Sequence, residues 1–152
     1  MKKEFNIIAN LVKKNAKVLD VGCGDGELMK YINENITNDI RGLEPQKNLV
    51  QKCISKGLSV IEGDAEKELF QFPENSFDYV VLSQTLQAFF SPEEVLDQLL
   101  RIGKQTIILY LILDTGKCVF ICYLKGQCLL LKIYLMSGIT PQIITCVLLK
   151  IL

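Results

Sequence analysis

A chain of 152 residues with seventeen basic and seventeen acidic side chains is the size of one ordinary domain and carries no net field for nucleic acid or an anionic membrane. The absence of histidine removes the usual zinc sites and Ser-His-Asp chemistry, so neither a metal nor a catalytic triad is expected. The start, Met1-Lys2-Lys3-Glu4-Phe5-Asn6, lacks the apolar core of a secretory signal, so the six cysteines read as free thiols of a cytoplasmic protein rather than a disulfide scaffold.

In chain order, residues 5–14 place Ile7, Ile8, Leu11 and Val12 on one helical face, which predicts a helix against a sheet edge. Residues 17–21 read as a short buried strand. Glycines at 22, 24 and 26 punctuate a turn, and residues 27–33 resume helical spacing. Residues 39–43 form a second strand ended by Glu44-Pro45, and 46–56 space Leu49, Val50 and Ile54 as a helix. A third strand is predicted over 58–61. The fourth, 77–82, is the most apolar and follows the turn-prone Pro73-Glu74-Asn75-Ser76. Ser91 reads as the cap of a helix with Pro92 at its first position and Glu94 three residues after the cap. Val95, Leu99 and Ile102 share one of its faces, and a fifth strand begins at 105–109.

Strands alternating with helices at this interval mean βαβ units, a parallel sheet and helices on both faces. A ligand then belongs at the carboxyl ends of the strands, beside the switch point.

The segment Val18-Leu19-Asp20-Val21-Gly22-Cys23-Gly24-Asp25-Gly26 has the strand, glycine turn and helix order of a nucleotide site. Glycine admits positive φ and lets a ligand approach the backbone. Two further acids stand at strand ends, Glu44 and Asp64, so three strand ends face one crevice. An acid ending the second strand can accept hydrogen bonds from ribose hydroxyls. A nicotinamide site would need its third glycine where this chain has Glu27, and that acid would crowd a pyrophosphate. S-adenosylmethionine carries a sulfonium and an ammonium and no phosphate, so it suits a loop with Asp20, Asp25 and Glu27 better.

These residues carry a resemblance. VLDVGCGDG is similar to the first motif of class I S-adenosylmethionine-dependent methyltransferases, Leu43-Glu44-Pro45 to the second and Glu62-Gly63-Asp64-Ala65 to the third. Within that class, Asn6-Ile7-Ile8-Ala9, Ser76-Phe77-Asp78-Tyr79-Val80 and above all Leu82-Ser83-Gln84-Thr85-Leu86-Gln87-Ala88 resemble the MetW family of methionine biosynthesis. The resemblance implies an α/β fold, a Rossmann-like class I methyltransferase sheet truncated after the fifth strand. It implies S-adenosyl-L-methionine as cofactor, with Asp20, Gly22, Cys23, Gly24, Gly26, Glu44, Pro45, Asp64, Ala65, Ser83 and Gln84 as the binding set. Glu44 would take the ribose, Asp64 the adenine amine, the Ala65 backbone the ring, and the turn from Gly22 to Gly26 the methionine moiety. Pro45 departs from the more usual variable residue at its position.

Plainer roles stand beside these. Cys23 reads as a small buried filler rather than a nucleophile. Gln84 and Gln87 either face the substrate pocket or pack around the fourth strand. Asp25 and Glu27 are either ligand contacts or first-turn acids favoured by the helix dipole, and Asp78 reads as a strand-entry residue rather than a base.

The composition breaks after Lys104. Only Asp114 is acidic beyond it, against four lysines, and four of the six cysteines lie there among Leu, Ile and Tyr. The apolar runs at 118–123 and 128–131 are broken by Lys125 and Lys132, and 133–149 contains Ser137, Gly138, Pro141 and Gln142, a poor membrane span. Related sequences continue at this point with a stretch resembling FPNFGHW. One codon choice for residues 109–117, read from the last base of the preceding codon, gives Ser-Ile-Pro-Asn-Phe-Gly-Tyr-Trp-Lys. The expectation is therefore a domain over 1–106 that binds S-adenosylmethionine, followed by an apolar tail over 107–152 translated out of frame after one base is lost near the codons of Thr106 to Ile108.

For function, the resemblance implies a partner of homoserine O-acyltransferase in methionine biosynthesis, with no membrane or nucleic-acid role. The alternative is methyl transfer to a small-molecule acceptor, where positioning does most of the work and no catalytic side chain need exist.

Overall fold

The computed structural model describes residues 3–83, 85–112, 118–125, 128–135 and 142–145, with side chains from 5 to 109 apart from Gln84 and Gln87. The elements run α1 (Lys3–Leu11), β1 (Val18–Val21), α2 (Glu27–Asn35), β2 (Ile40–Glu44), α3 (Lys47–Ser55), β3 (Ser59–Glu62), α4 (Ala65–Glu68), β4 (Phe77–Ser83), α5 (Pro92–Ile102) and β5 (Gly103–Ile112). Three more strands follow, β6 (Cys118–Lys125), β7 (Cys128–Leu135) and β8 (Gln142–Thr145).

The strand order is β3-β2-β1-β4-β5-β6-β7-β8, with β1 to β5 parallel and β6 to β8 antiparallel. The five predicted parallel strands are all present. The order reverses between β1 and β4, which pair with Asp20 beside Val81 and Val21 beside Leu82. That is the switch point at which an open α/β sheet leaves room for a ligand.

Alternation along β1 distributes its side chains to two cores. Val18 faces Ile8, Val12, Met29, Ile32 and Cys53, beneath α1, α2 and α3. Leu19 and Val21 face Ala65, Leu69, Val95, Leu99 and Ile102, beneath α4 and α5. Burial on both faces is why β1 and β4 are mostly apolar, and Asp20 is the fully buried charged residue among them that needs a reason.

Three features differ from the sequence reading. Residues 65–71, assigned to no element there, form α4 and a 3-10 turn, Leu69–Gln71, whose Leu69 is fully buried. Ser91 is the residue before α5 but its hydroxyl makes no cap bond; instead its N–H donates to Glu66 Oε1 at 2.7 Å. The carboxylate of a neighbouring helix thus does the work predicted for a local capping box. Thirdly, the sheet does not stop after the fifth strand. β5 passes through residue 107 without a break, pairing Ile107 with Tyr123, and the apolar runs of the tail pair as a meander.

Candidate functional site

The first turn after β1 is built on positive φ at Gly22 (68°), Gly24 (59°) and Gly26 (77°). A β-carbon on Gly22 would lie 2.5 Å from Thr85 Cγ2, and one on Gly26 would lie 2.6 Å from Leu58 Cδ1. These two glycines are required by packing as well as by conformation. At Gly24 no atom stands within 4 Å of the same position. The turn is packed from below at its ends and open above its middle.

The acid at the end of β2 fastens this turn. Glu44 Oε2 accepts the Gly24 N–H at 2.9 Å and Oε1 accepts the Gln46 N–H at 3.0 Å. Two backbone donors stabilise a carboxylate that is only 4% exposed. Each oxygen keeps a further lone pair for a ligand hydroxyl.

Asp20 has no such support. It is 1% exposed and its Oδ1 has no hydrogen-bond partner. Burial, followed by the nearby Glu44 charge, pushes its pKa up to about 7. Asp20 lines a cavity of about 160 Å³ together with Phe5, Gly22, Cys23, Gly24, Asp25, Glu27, Leu28 and Ser83. The lining holds three acids and no basic residue. Such a cavity attracts a cation and repels a phosphate. Its volume is below the roughly 300–1,000 Å³ of a complete small-molecule site, and Glu44 stands behind the turn rather than in the cavity lining.

Of the expected binding set, Asp20, Gly22, Cys23, Gly24 and Ser83 line the cavity, and Glu44 holds its rim. Gly26 lies beneath the turn. Pro45 is exposed beyond β2. Asp64 is the N-cap of α4, its Oδ1 accepting the Glu66 N–H at 3.1 Å, and Ala65 is buried beside it. Gln84 lies outside the described residues, and so does the side chain of Gln87.

Cys23 packs its sulfur over Gly42, where a β-carbon would come within 2.5 Å of it. Burial and then the Asp20 charge raise its thiol pKa, so it stays protonated and fills space. Cys53 reaches under the same turn, donating to the Gly24 carbonyl at 3.3 Å. Asp25 and Glu27 both line the cavity, although Asp25 also pairs with Lys56 at 3.4 Å. Asp78 lies at the opposite end of the sheet, where it accepts the Lys17 N–H and the Lys104 ammonium at 2.9 and 2.8 Å. The Lys104 bond, then the Lys17 bond, hold its pKa down. Phe5 and Leu28 are lining residues that sequence reading missed, since their place depends on how α1 and α2 dock on the sheet. Among the described residues no helix is long and apolar enough to cross a membrane, and no cluster of three metal-ligating side chains occurs.

The sequence profile of the family described as "Methionine biosynthesis protein MetW" matches residues 2–133. The bifunctional methionine biosynthesis protein MetXA/MetW of Rhodopirellula baltica is 34% identical over 66% of this chain and 18% of its own length. The ubiquinone/menaquinone biosynthesis C-methyltransferase UbiE of Pseudomonas paraeruginosa is 29% identical over 67% of this chain and 43% of its own. The chain therefore spans less than half the length of either curated relative. Among solved structures, a putative methyltransferase from an antibiotic biosynthesis pathway of Anabaena variabilis superposes with a TM-score of 0.65 at 20% identity, over 74% of this chain and 47% of that one. A SAM-dependent methyltransferase from Archaeoglobus fulgidus gives 0.62 at 22% identity, over 70% and 49%. At these identities the superpositions establish the fold.

Proposed function

The chain belongs to the MetW family, and from that premise we propose that it binds S-adenosylmethionine and acts in cytoplasmic methionine biosynthesis as the partner of a homoserine O-acyltransferase. The observation that carries the cofactor reading is the unpartnered Asp20 oxygen in a cavity whose charged lining residues are all acids, next to a glycine turn open above Gly24. A buried polar atom without a partner costs stability unless a ligand satisfies it.

S-adenosylmethionine, when bound, supplies a methyl group on a sulfonium centre that is readily displaced. The chain's own residues bind and orient. Glu44, fixed by the Gly24 and Gln46 N–H groups, accepts two ribose hydroxyls on its remaining lone pairs. Asp20 and the other lining acids balance the positive end of the ligand, and the open backbone of Gly24 admits it. Asp64 and the Ala65 backbone take the adenine. Gln84 belongs to the same set by its family motif.

The partner reading is supported by the Rhodopirellula relative, whose name joins MetXA and MetW in one bifunctional protein. Calorimetry with S-adenosylmethionine and copurification with the acyltransferase test the two parts separately. Turnover of small acceptors by the chain alone would replace the partner role with methyl transfer. We also infer that residues 107–152 are translated out of frame, on the composition break and the family-like peptide that one choice of codons permits in the neighbouring frame.

A further inference from the structure

We propose that Asp20 is a proton switch for the cofactor site: at mildly acidic pH it is protonated in the free protein and gives up one proton when the cationic ligand binds, so affinity rises with pH. The proposal rests on the cofactor reading above and deepens it.

The geometry carries the argument. Asp20 is almost wholly enclosed, its Oδ1 has no partner, and it forms part of the cavity wall. Among the described residues, the elements packed around it bring no compensating positive charge into the cavity. β2 brings Gly42 alongside it and then Glu44, a like charge. β4 brings Val81 alongside it and Ser83 at the rim, with Tyr79 one pleat further down opposite Val18. The glycine turn brings Cys23, Asp25 and Glu27, and α3 brings the Cys53 thiol. α1 and α2 contribute Phe5 and Leu28. The nearby Lys56 is turned to the Asp25 carbonyl and carboxylate, at 2.6 and 3.4 Å.

An acid so placed, beside a second carboxylate, holds its proton to a higher pH than a free carboxyl does. The folded-state pKa of about 7 agrees with that placement. A cation entering the cavity reverses the balance, because it stabilises the ionised form and leaves the neutral form unaided. Linkage then requires a proton to leave. Below the free-protein pKa, affinity should rise about tenfold per pH unit, levelling off above roughly pH 7. The ligand's own α-amino group titrates only near about 7.7–8.0, so the window from about pH 5.5 to 7.5 isolates Asp20.

The test is calorimetry of S-adenosylmethionine binding to the 152-residue chain in buffers of different ionisation enthalpy. Close to one proton should be released per ligand at about pH 6, falling toward none by about pH 8. Asp20→Asn should bind with an affinity that is flat over the same window. If that variant does not fold, a carboxyl-carbon NMR titration of Asp20 in the wild type, with and without ligand, gives the same answer. Ligand binding with no proton release and no pH slope overturns the switch and leaves the cofactor site standing, as does an unchanged slope in Asp20→Asn. No binding at any pH overturns both.

Discussion

Glu44 Oε2 accepts the Gly24 N–H at 2.9 Å across twenty residues of sequence, tying the end of β2 to the middle of the glycine turn. The residue expected to recognise the cofactor therefore also shapes the loop beneath it. Glu44→Ala removes both the ligand acceptor and the turn's anchor, and affinity for S-adenosylmethionine should fall at least tenfold, since a charge-assisted hydrogen bond contributes roughly 1.5–3 kcal/mol. Glu44→Gln should do no better. Both oxygens face N–H donors, so the amide must set its own NH₂ against one of them. Calorimetry that gives wild-type affinity for either variant removes Glu44 from the site.

Asp20 makes the free protein's stability depend on pH in an uncommon direction for a carboxylate. The unfolded chain ionises near about pH 4, while the folded protein holds the proton up to about 7. The native state binds more protons in that interval, so this group's contribution to stability falls as pH rises from about 4 to 7 and is constant above. Urea melts at several pH values should show that decline in the wild type and lack it in Asp20→Asn. A wild-type stability that instead climbs steadily from about pH 5 to 8, with the same climb in the variant, assigns the buried acid an ordinary pKa.

Gly26→Ala places a methyl group at positive φ and within 2.6 Å of Leu58 Cδ1 and 2.9 Å of Cys53 Sγ. The left-handed conformation costs about 1–2 kcal/mol and the overpacking about as much again. Gly24→Ala meets no atoms within 4 Å and incurs only the conformational cost, but it puts a β-carbon on the side proposed for the cofactor. Gly26→Ala should therefore lower the melting temperature more, and Gly24→Ala should weaken binding more than its stability loss explains. Equal effects on both readouts would mean that the turn's middle is not a ligand surface.

The start of α5 distinguishes a local cap from a tertiary one. Ser91→Ala should be nearly neutral, because the hydroxyl makes no cap bond. Glu66→Ala should cost about 1–3 kcal/mol by leaving the Ser91 N–H without its acceptor. Denaturant midpoints of the two variants decide the matter, and a larger loss in Ser91→Ala would restore the capping box.

The tail prediction is genetic. Inserting one base near codon 107 should open a frame that encodes tryptophan and histidine, both absent from this chain, and the product should copurify with homoserine O-acyltransferase. A genomic read without family-like sequence in the neighbouring frame ends that inference.

The sequence by itself determined the parallel sheet, because apolar runs near five residues long separated by helical spacing favour one arrangement, and the acids at 20 and 44 then fall at the ends of β1 and β2, with Asp64 just beyond β3. It also singled out the glycine turn. What it left open depends on contacts between segments distant in the chain. Nothing local distinguishes Asp20, left without a partner, from Glu44, held by two N–H groups; that difference arises only when β1 enters the sheet between β2 and β4. Likewise Glu66 is an unremarkable helix acid until α4 lies beside the start of α5, and Phe5 joins the cavity only through the docking of α1. Periodicity fixes which face of an element is buried, whereas the partner of a buried polar group is fixed by packing alone.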